Sequence, residues 1–270
     1  MTVFQQFYGF TRLPFSKSLP TGDLFDAAAQ KELAARLTFL VREQGFGLVT
    51  GEFGCGKSTA VRAFAASLDA NRHLVIYLAN PTTGIGGLYR ELLCHLGHQP
   101  PYTASRQVAA IRAAFDDLRT TRLRAPLVVV DEAHLLSQQM LEQLRLLCSA
   151  QMDSQSLATL LLVGHPALRT TLRLSIHEAF YQRLSVRFHL PPLDLSETIG
   201  YVRHHVQVAG FSAGTLFTDD AIARIFDYTK GFPRRINQIC TTALMAGAID
   251  QKSVIDEASV RKAIADLEYE

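Results

Sequence analysis

The sequence predicts an α/β protein: a mainly parallel sheet wrapped by helices, followed by a smaller all-helical part. Three observations predict it. Gly51-Glu52-Phe53-Gly54-Cys55-Gly56-Lys57-Ser58 reads G-x-x-x-x-G-K-S, with a short apolar run before it and helical spacing after it, the setting of a phosphate-cradling loop. Apolar strand-length runs alternate with helical stretches up to Leu190, and Leu127-Val128-Val129-Val130 has no polar face, as in strands buried on both sides. Beyond Pro191-Pro192 only helical patterns remain.

Taken in order, Phe4 to Pro20 is rich in aromatics and has no regular period. It predicts an ordered extension whose rings pack on the main domain or on a neighbouring subunit. Asp26 caps a helix that runs to Gln44, with Leu33, Leu37, Leu40 and Val41 on one face, and Gly45 ends it. Strand Phe46 to Thr50 leads into the glycine loop, and Thr59 to Leu68 follows as a helix. His73 to Leu78 is the second strand, and Asn80 to Gly87 breaks regular structure before a helix from about Leu88 to Leu96. Thr103 or Ser105 caps a long helix through Leu118; Leu127 to Val130 is the third strand. Ser137 caps a helix carrying Leu141, Leu144, Leu147 and Cys148. Leu157 to Val163, two short helices and Ser185 to Leu190 complete the β/α series. Four helices follow: Ser196 to Ala209, Thr218 to Thr229, Pro233 to Ala248 and Asp256 to Leu267. The expected division is an extension at 1–24, an α/β core at 25–191 and a helical domain at 192–270.

Composition narrows the class. Hydrophobic residues make up 48% of the 270 and charged residues 19%, enough for a core and too little charge for disorder. A net charge of +2 does not by itself indicate a nucleic-acid partner. The four cysteines, Cys55, Cys94, Cys148 and Cys240, form no C-x-x-C pair, which argues against structural zinc and against a disulfide framework and fits a reducing cytoplasm. No signal-peptide pattern opens the chain and the longest apolar runs are too short to span a bilayer, so a soluble bacterial cytoplasmic protein without a membrane partner is expected.

The chemistry lies in two motifs. In the loop, glycines let backbone N–H groups converge on an anion, and the helix start adds partial positive charge. Lys57 would reach the β- and γ-phosphates of ATP and the Ser58 hydroxyl would ligate Mg²⁺, with Gly51 to Thr59 as the nucleotide-binding stretch. Cys55 within it is either a thiol activated by the helix start or a tolerated small residue. The second motif is Asp131-Glu132 at the end of the third strand. Asp131 would complete the metal site, and Glu132 would orient and polarise an attacking water. An acid so placed implies hydrolysis rather than binding alone. Lys57-Ser58 speaks against a dinucleotide oxidoreductase, and no acceptor pattern suggests a kinase.

With both motifs placed, the chain resembles AAA+ ATPases, and more closely the ExeA type of the general secretion pathway. The resemblance rests on Phe7-Tyr8-Gly9-Phe10, Leu13-Pro14-Phe15, Leu48-Val49-Thr50-Gly51-Glu52, Val130-Asp131-Glu132-Ala133, Leu141 to Leu147, Leu162 to Pro166 and Gly231 to Asn237. It implies a five-stranded sheet of order 5-1-4-3-2 with a helical lid. It places His165 at or beside the γ-phosphate sensor, where the family pattern looks like G-Q-P. It makes Arg183 the arginine finger reaching a neighbouring subunit's nucleotide, with Arg187 as competitor, and Arg234 or Arg235 the lid contact. Secretion-pathway members are longer chains with a membrane segment and a cell-wall-binding region. A chain that stops at Glu270 looks more like the TniB/TnsC and Mu B kinds of transposition regulator. That likeness implies a ring or filament of subunits on double-stranded DNA and a partner transposase. The expected DNA contacts are Thr82 and Thr83 in one loop and Thr103, Ser105 and Arg106 at a helix start; Arg119, Arg122 and Arg124 form a further basic cluster. The alternatives are an assembly ATPase of a type II secretion pathway that binds no DNA, and a nucleotide-gated scaffold in which Glu132 is idle.

Overall fold

The structure is a computed structural model that describes residues 2–79, 83–150 and 155–268, with only the backbone of Ala150 and Gln155. By contacts the chain divides into two compact units. One holds 1–28, 54–56 and 191–270; the other holds 29–53 and 57–190.

In chain order the elements are α1 (Val3–Tyr8), α2 (Ala28–Glu43), β1 (Phe46–Thr50), α3 (Lys57–Ser67), β2 (His73–Leu78), α4 (Gly84–His95), α5 (Ala104–Thr120) and β3 (Ala125–Val130). Then come α6 (Gln138–Cys148), β4 (Ser149–Ala150), β5 (Gln155–Ser156), β6 (Thr159–Gly164), α7 (Ala167–Leu172), α8 (Glu178–Tyr181) and β7 (Leu184–His189). The last four are α9 (Leu195–Val208), α10 (Asp219–Thr229), α11 (Pro233–Ile249) and α12 (Glu257–Glu268).

The α/β unit is built on a five-stranded sheet of order β2-β3-β6-β1-β7. Every neighbouring pair is parallel. Counted along the chain from the β7 edge, this is the order 5-1-4-3-2 that the family resemblance implies. Side-chain alternation explains the layering. Val128 and Val130 point into one core with Leu160, Leu162, Leu92 and Phe115; Leu127 and Val129 point into the other with Leu161, Val163, Leu37 and Phe64. Both faces are covered, which is why these strands read as unbroken apolar runs.

Two local features of the α/β unit differ from the sequence expectation. α4 begins at Gly84, so the glycine-rich stretch read as a break supplies the first helical turn. A Cβ added at Gly87 would lie 2.3 Å from Thr83 Oγ1, so this glycine serves close packing of the turn instead of ending the helix. A short antiparallel hairpin, Ser149–Ala150 with Gln155–Ser156, also precedes β6 where none was expected.

The helical unit takes in the N-terminal aromatics. Phe4, Tyr8, Phe10 and Phe15 are buried with Val202, Ile222, Ile236, Leu244 and Ile264 in one core. Each such ring contributes about 1.5–3 kcal/mol by leaving water. The segment expected to be irregular begins as α1, with a capping box in which Gln5 bonds back to Thr2 and a left-handed Gly9 ending the turn. Its six residues are too few to show a helical period in sequence. Tyr8 donates to the Lys252 carbonyl at 3.0 Å and Thr11 to the Ala209 carbonyl at 3.0 Å. α9 opens with a full capping box between Asp194 and Glu197, and α10 is capped by Thr218.

Candidate active site

The loops that follow β1, β3 and β6 carry the candidate residues. These strands are neighbours in the order β3-β6-β1, so the three loops leave the same carboxyl edge of the sheet. Ligands of open parallel sheets bind at such an edge, where the strand order reverses. Gly51 N–H donates to the Gly164 carbonyl at 3.2 Å, tying the start of the phosphate loop to the end of β6.

Two loop positions require glycine, since Gly54 and Gly56 have φ of +81° and +97°. Within the helical unit, the Arg234 N–H donates to the Gly54 carbonyl at 3.2 Å, and a Cβ at Gly54 would lie 2.8 Å from the Arg234 Cβ. Cys55 is buried, which closes it to solvent reagents.

Lys57 is the first residue of α3 and is 6% exposed. Its Nζ donates to the carbonyls of Gly51 at 2.9 Å and Glu52 at 3.0 Å and lies 5.7 Å from the centre of the Phe53 ring. Among the described residues no carboxylate answers this buried ammonium. A buried cation held only by carbonyls and a ring is poised for an anion.

Ser58 donates to Asp131 Oδ2 at 2.7 Å, so the two expected metal ligands meet although 73 residues separate them. Asp131 is 4% exposed and also accepts from the Tyr77 hydroxyl on Oδ2 at 2.6 Å and from the Glu132 N–H on Oδ1 at 2.9 Å. Its own N–H reaches the Leu78 carbonyl at 2.9 Å, extending the β2–β3 ladder by one residue. The donors around this point, a hydroxyl and a carboxylate, are all oxygen, the set that a hard cation such as Mg²⁺ takes.

Glu132 adopts a left-handed conformation with φ 49° and ψ 33°. For a residue other than glycine this is sparsely populated and stores strain, a feature concentrated at working sites. Its carboxylate lies 3.4 Å from His134 Nδ1. His165, just past β6, places Nε2 3.0 Å from Glu52 Oε2, while its Nδ1 accepts from the Ala167 N–H at 3.3 Å. With Nδ1 accepting, Nε2 carries the proton and donates to Glu52. His165 also stacks on Phe53, with centroids 5.0 Å apart. Sequence reading did not single out Tyr77 or His134. Tyr77 follows Leu74, Val75 and Ile76 in β2, and nothing local marks its contact with a residue 54 positions away.

The other expected residues have these surroundings. Arg183 donates to the Ser149 hydroxyl, lies 5.9 Å over the Phe46 ring, and helps Arg145 hold the Glu142 carboxyl below its ordinary value. In this chain it is engaged as a packing residue. Arg187 is exposed; it stacks 4.1 Å over the Tyr181 ring and donates to the Tyr181 carbonyl at 3.0 Å. Arg235 lies 5.7 Å over the Phe232 ring. Thr83 and Thr103 are exposed helix N-caps, and Ser105 and Arg106 are exposed in the first turn of α5; Thr82 lies outside the described residues. Within the basic cluster, Arg122 pairs with Asp117 at 2.9 Å and Arg124 donates to the His73 carbonyl at 3.1 Å, so both serve the local fold.

Sheet order, phosphate loop and acidic strand end together define a P-loop AAA+ fold. An AAA domain family model matches residues 41–172. The chain is 34% identical over 253 residues to general secretion pathway protein A of Aeromonas hydrophila, covering 90% of this chain and 45% of that protein. The chain thus spans less than half the length of this relative. The chain is an AAA+ ATPase of the ExeA type. Among solved structures it is similar to Cdc6p from Pyrobaculum aerophilum, with TM-score 0.72 and 18% identity over 93% of this chain and 70% of that one. It is also similar to the Aeropyrum pernix ORC1 protein in complex with DNA, with TM-score 0.66 and 18% identity over 94% and 67% of the two chains. Among the described residues no helix is long and apolar enough to cross a membrane.

Proposed function

We propose that the protein hydrolyses ATP and works as an oligomer on double-stranded DNA, in the manner of a transposition regulator that marks target sites and activates a transposase. The observation that carries the hydrolytic part is the buried Lys57 ammonium, which among the described residues meets loop carbonyls and the Phe53 ring and no carboxylate, beside the Ser58–Asp131 pair. Lys57 exchanges the Gly51 and Glu52 carbonyls for phosphate oxygens, and the loop N–H groups orient the phosphates. Ser58 and Asp131 would hold Mg²⁺, which supplies charge neutralisation at the phosphates. Glu132 accepts a proton from the attacking water as its base, and its strained backbone aims the carboxylate. His165 and Arg234 are the proposed contacts from the same subunit, and an arginine near β7 the contact from a neighbour. There the exposed Arg187 is better available than Arg183.

Support for DNA comes from the likeness to the Aeropyrum protein, which binds DNA. Electron microscopy with ATP and duplex DNA tests it. Filaments or rings on DNA that vanish in Lys57→Ala are expected, and equal DNA binding with and without ATP would overturn it.

A second reading has its own observation, the 34% identity to a general secretion pathway protein. On that reading the ATPase drives assembly of an envelope complex. ATP turnover indifferent to DNA but raised by secretion components would favour it.

A further inference from the structure

Asp131 is buried, and among the described residues its carboxylate is held by three donors that carry no charge: Ser58, Tyr77 and the Glu132 N–H. Two of them share one oxygen. Ser58 and Tyr77 both donate to Oδ2, at 2.7 and 2.6 Å. They differ in what else they must do. On the hydrolytic reading Ser58 is itself a cation ligand, so its hydroxyl oxygen turns to the metal. The Glu132 N–H belongs to the next residue and moves with Asp131. Tyr77 is the donor from another strand. It stands on β2, whose ladder with β3 runs in register from His73↔Ala125 to Leu78↔Val130, so its Cα position is fixed relative to the acid by six backbone pairs. The ring is half exposed while the hydroxyl bonds inward.

The geometry points to Tyr77 as the positioning residue of the cation site: its hydroxyl keeps the Asp131 carboxylate in one orientation whether or not Ser58 is engaged by metal. Such outer partners of a ligating carboxylate fix its direction, and their loss weakens metal binding about 10–100-fold. The phenol is suited to the task. Its hydroxyl is an uncharged donor that reaches Asp131 from a separate strand held in register with the acid's own. Tyr77 touches neither nucleotide nor metal on this account; it acts through Asp131. The inference rests on the hydrolytic reading given above.

Its test is binding of a fluorescent ATP analogue across a Mg²⁺ titration, with a parallel series in EDTA. Tyr77→Phe keeps the ring and removes the hydroxyl. Expected is a Mg²⁺ midpoint raised about tenfold, with affinity in EDTA and the thermal unfolding midpoint unchanged. In an Asp131→Asn background the same substitution should shift the midpoint no further, since the route through Asp131 is already cut. A midpoint within about twofold of wild type overturns the assignment, as does an equal additional shift in the Asn background. An equal loss of affinity in EDTA overturns it too, because that is what a merely structural bond produces. If the wild type binds no nucleotide under any condition, the hydrolytic reading fails first and the assignment with it. A wild type that binds in a Mg²⁺-dependent way beside an unaltered Tyr77→Phe overturns the assignment alone.

Discussion

His165 Nε2 and Glu52 Oε2 lie 3.0 Å apart, so the residue that follows β6 is bonded to the phosphate loop itself. His165 is therefore placed to feel what the loop holds, with glutamate as its partner when it is not engaged elsewhere. His165→Ala is expected to lower ATP turnover roughly tenfold to a hundredfold, from the about 1.5–3 kcal/mol of a bond to a charged group. ADP affinity should stay near wild type, since no γ-phosphate is involved. Phosphate release at saturating ATP and ADP titration check the two halves; equal losses in both would assign the histidine to loop packing.

Glu132 carries two effects that one residue can separate. Glu132→Gln should cut turnover about 10²–10⁴-fold with ATP binding retained. Glu132→Gly should be as inactive yet more stable, because glycine adopts φ near 49° without the strain of a side chain, worth about 1–2 kcal/mol. For a protein of this size that is a rise of roughly 2–8 °C in Tm. Calorimetry beside phosphate release reads both.

Lys57→Met replaces a buried ammonium with an apolar chain of similar length. The nucleotide-free protein should be at least as stable as wild type, since no buried charge is left to solvate. Addition of ATP and Mg²⁺ should raise the wild-type Tm and leave the variant's unchanged. A ligand-induced shift of wild-type size in Lys57→Met would remove Lys57 from the phosphate site.

His205 lies in the helical core, 4% exposed, stacked 5.3 Å from the Phe15 ring and with Nδ1 unpartnered among the described residues. Burial, with a smaller push from His204, lowers its pKa to about 4. The ordinary value is about 6.5, so between those limits the unfolded chain binds more protons than the folded one. Stability is therefore whole above about pH 6.5, falls as pH drops toward 4, and levels below it. The loss sums to roughly 3 kcal/mol. Denaturant midpoints against pH should show this slope, and His205→Phe should flatten it.

What was legible in the sequence was what is local. The phosphate loop, Asp131-Glu132 and the apolar strands each sit within ten residues, and their chemistry follows from residue type and spacing. What was not legible depends on which strands lie side by side. Tyr77 and Asp131 meet because β2 pairs with β3, and His165 and Glu52, 113 residues apart, because β6 pairs with β1. The same limit applies to Arg183. Its bond to Ser149 depends on a hairpin that the pattern did not show. At Gly84 the expectation that a glycine-rich stretch breaks regular structure gave way to the first turn of α4, where Gly87 packs closely on Thr83.

The bond from Tyr8 to the Lys252 carbonyl joins residues 244 positions apart. During synthesis that makes the two units unequal in time. Residues 57–190 of the sheet unit emerge as one continuous stretch and can begin to fold as they appear. The aromatic segment at the start must wait for α11 and α12, on the order of tens of seconds at roughly 5–20 residues per second. Throughout that interval Phe4, Phe10 and Phe15 are without their core. The aromatic segment is thus made before, and folds after, much of the sequence that separates it from its core.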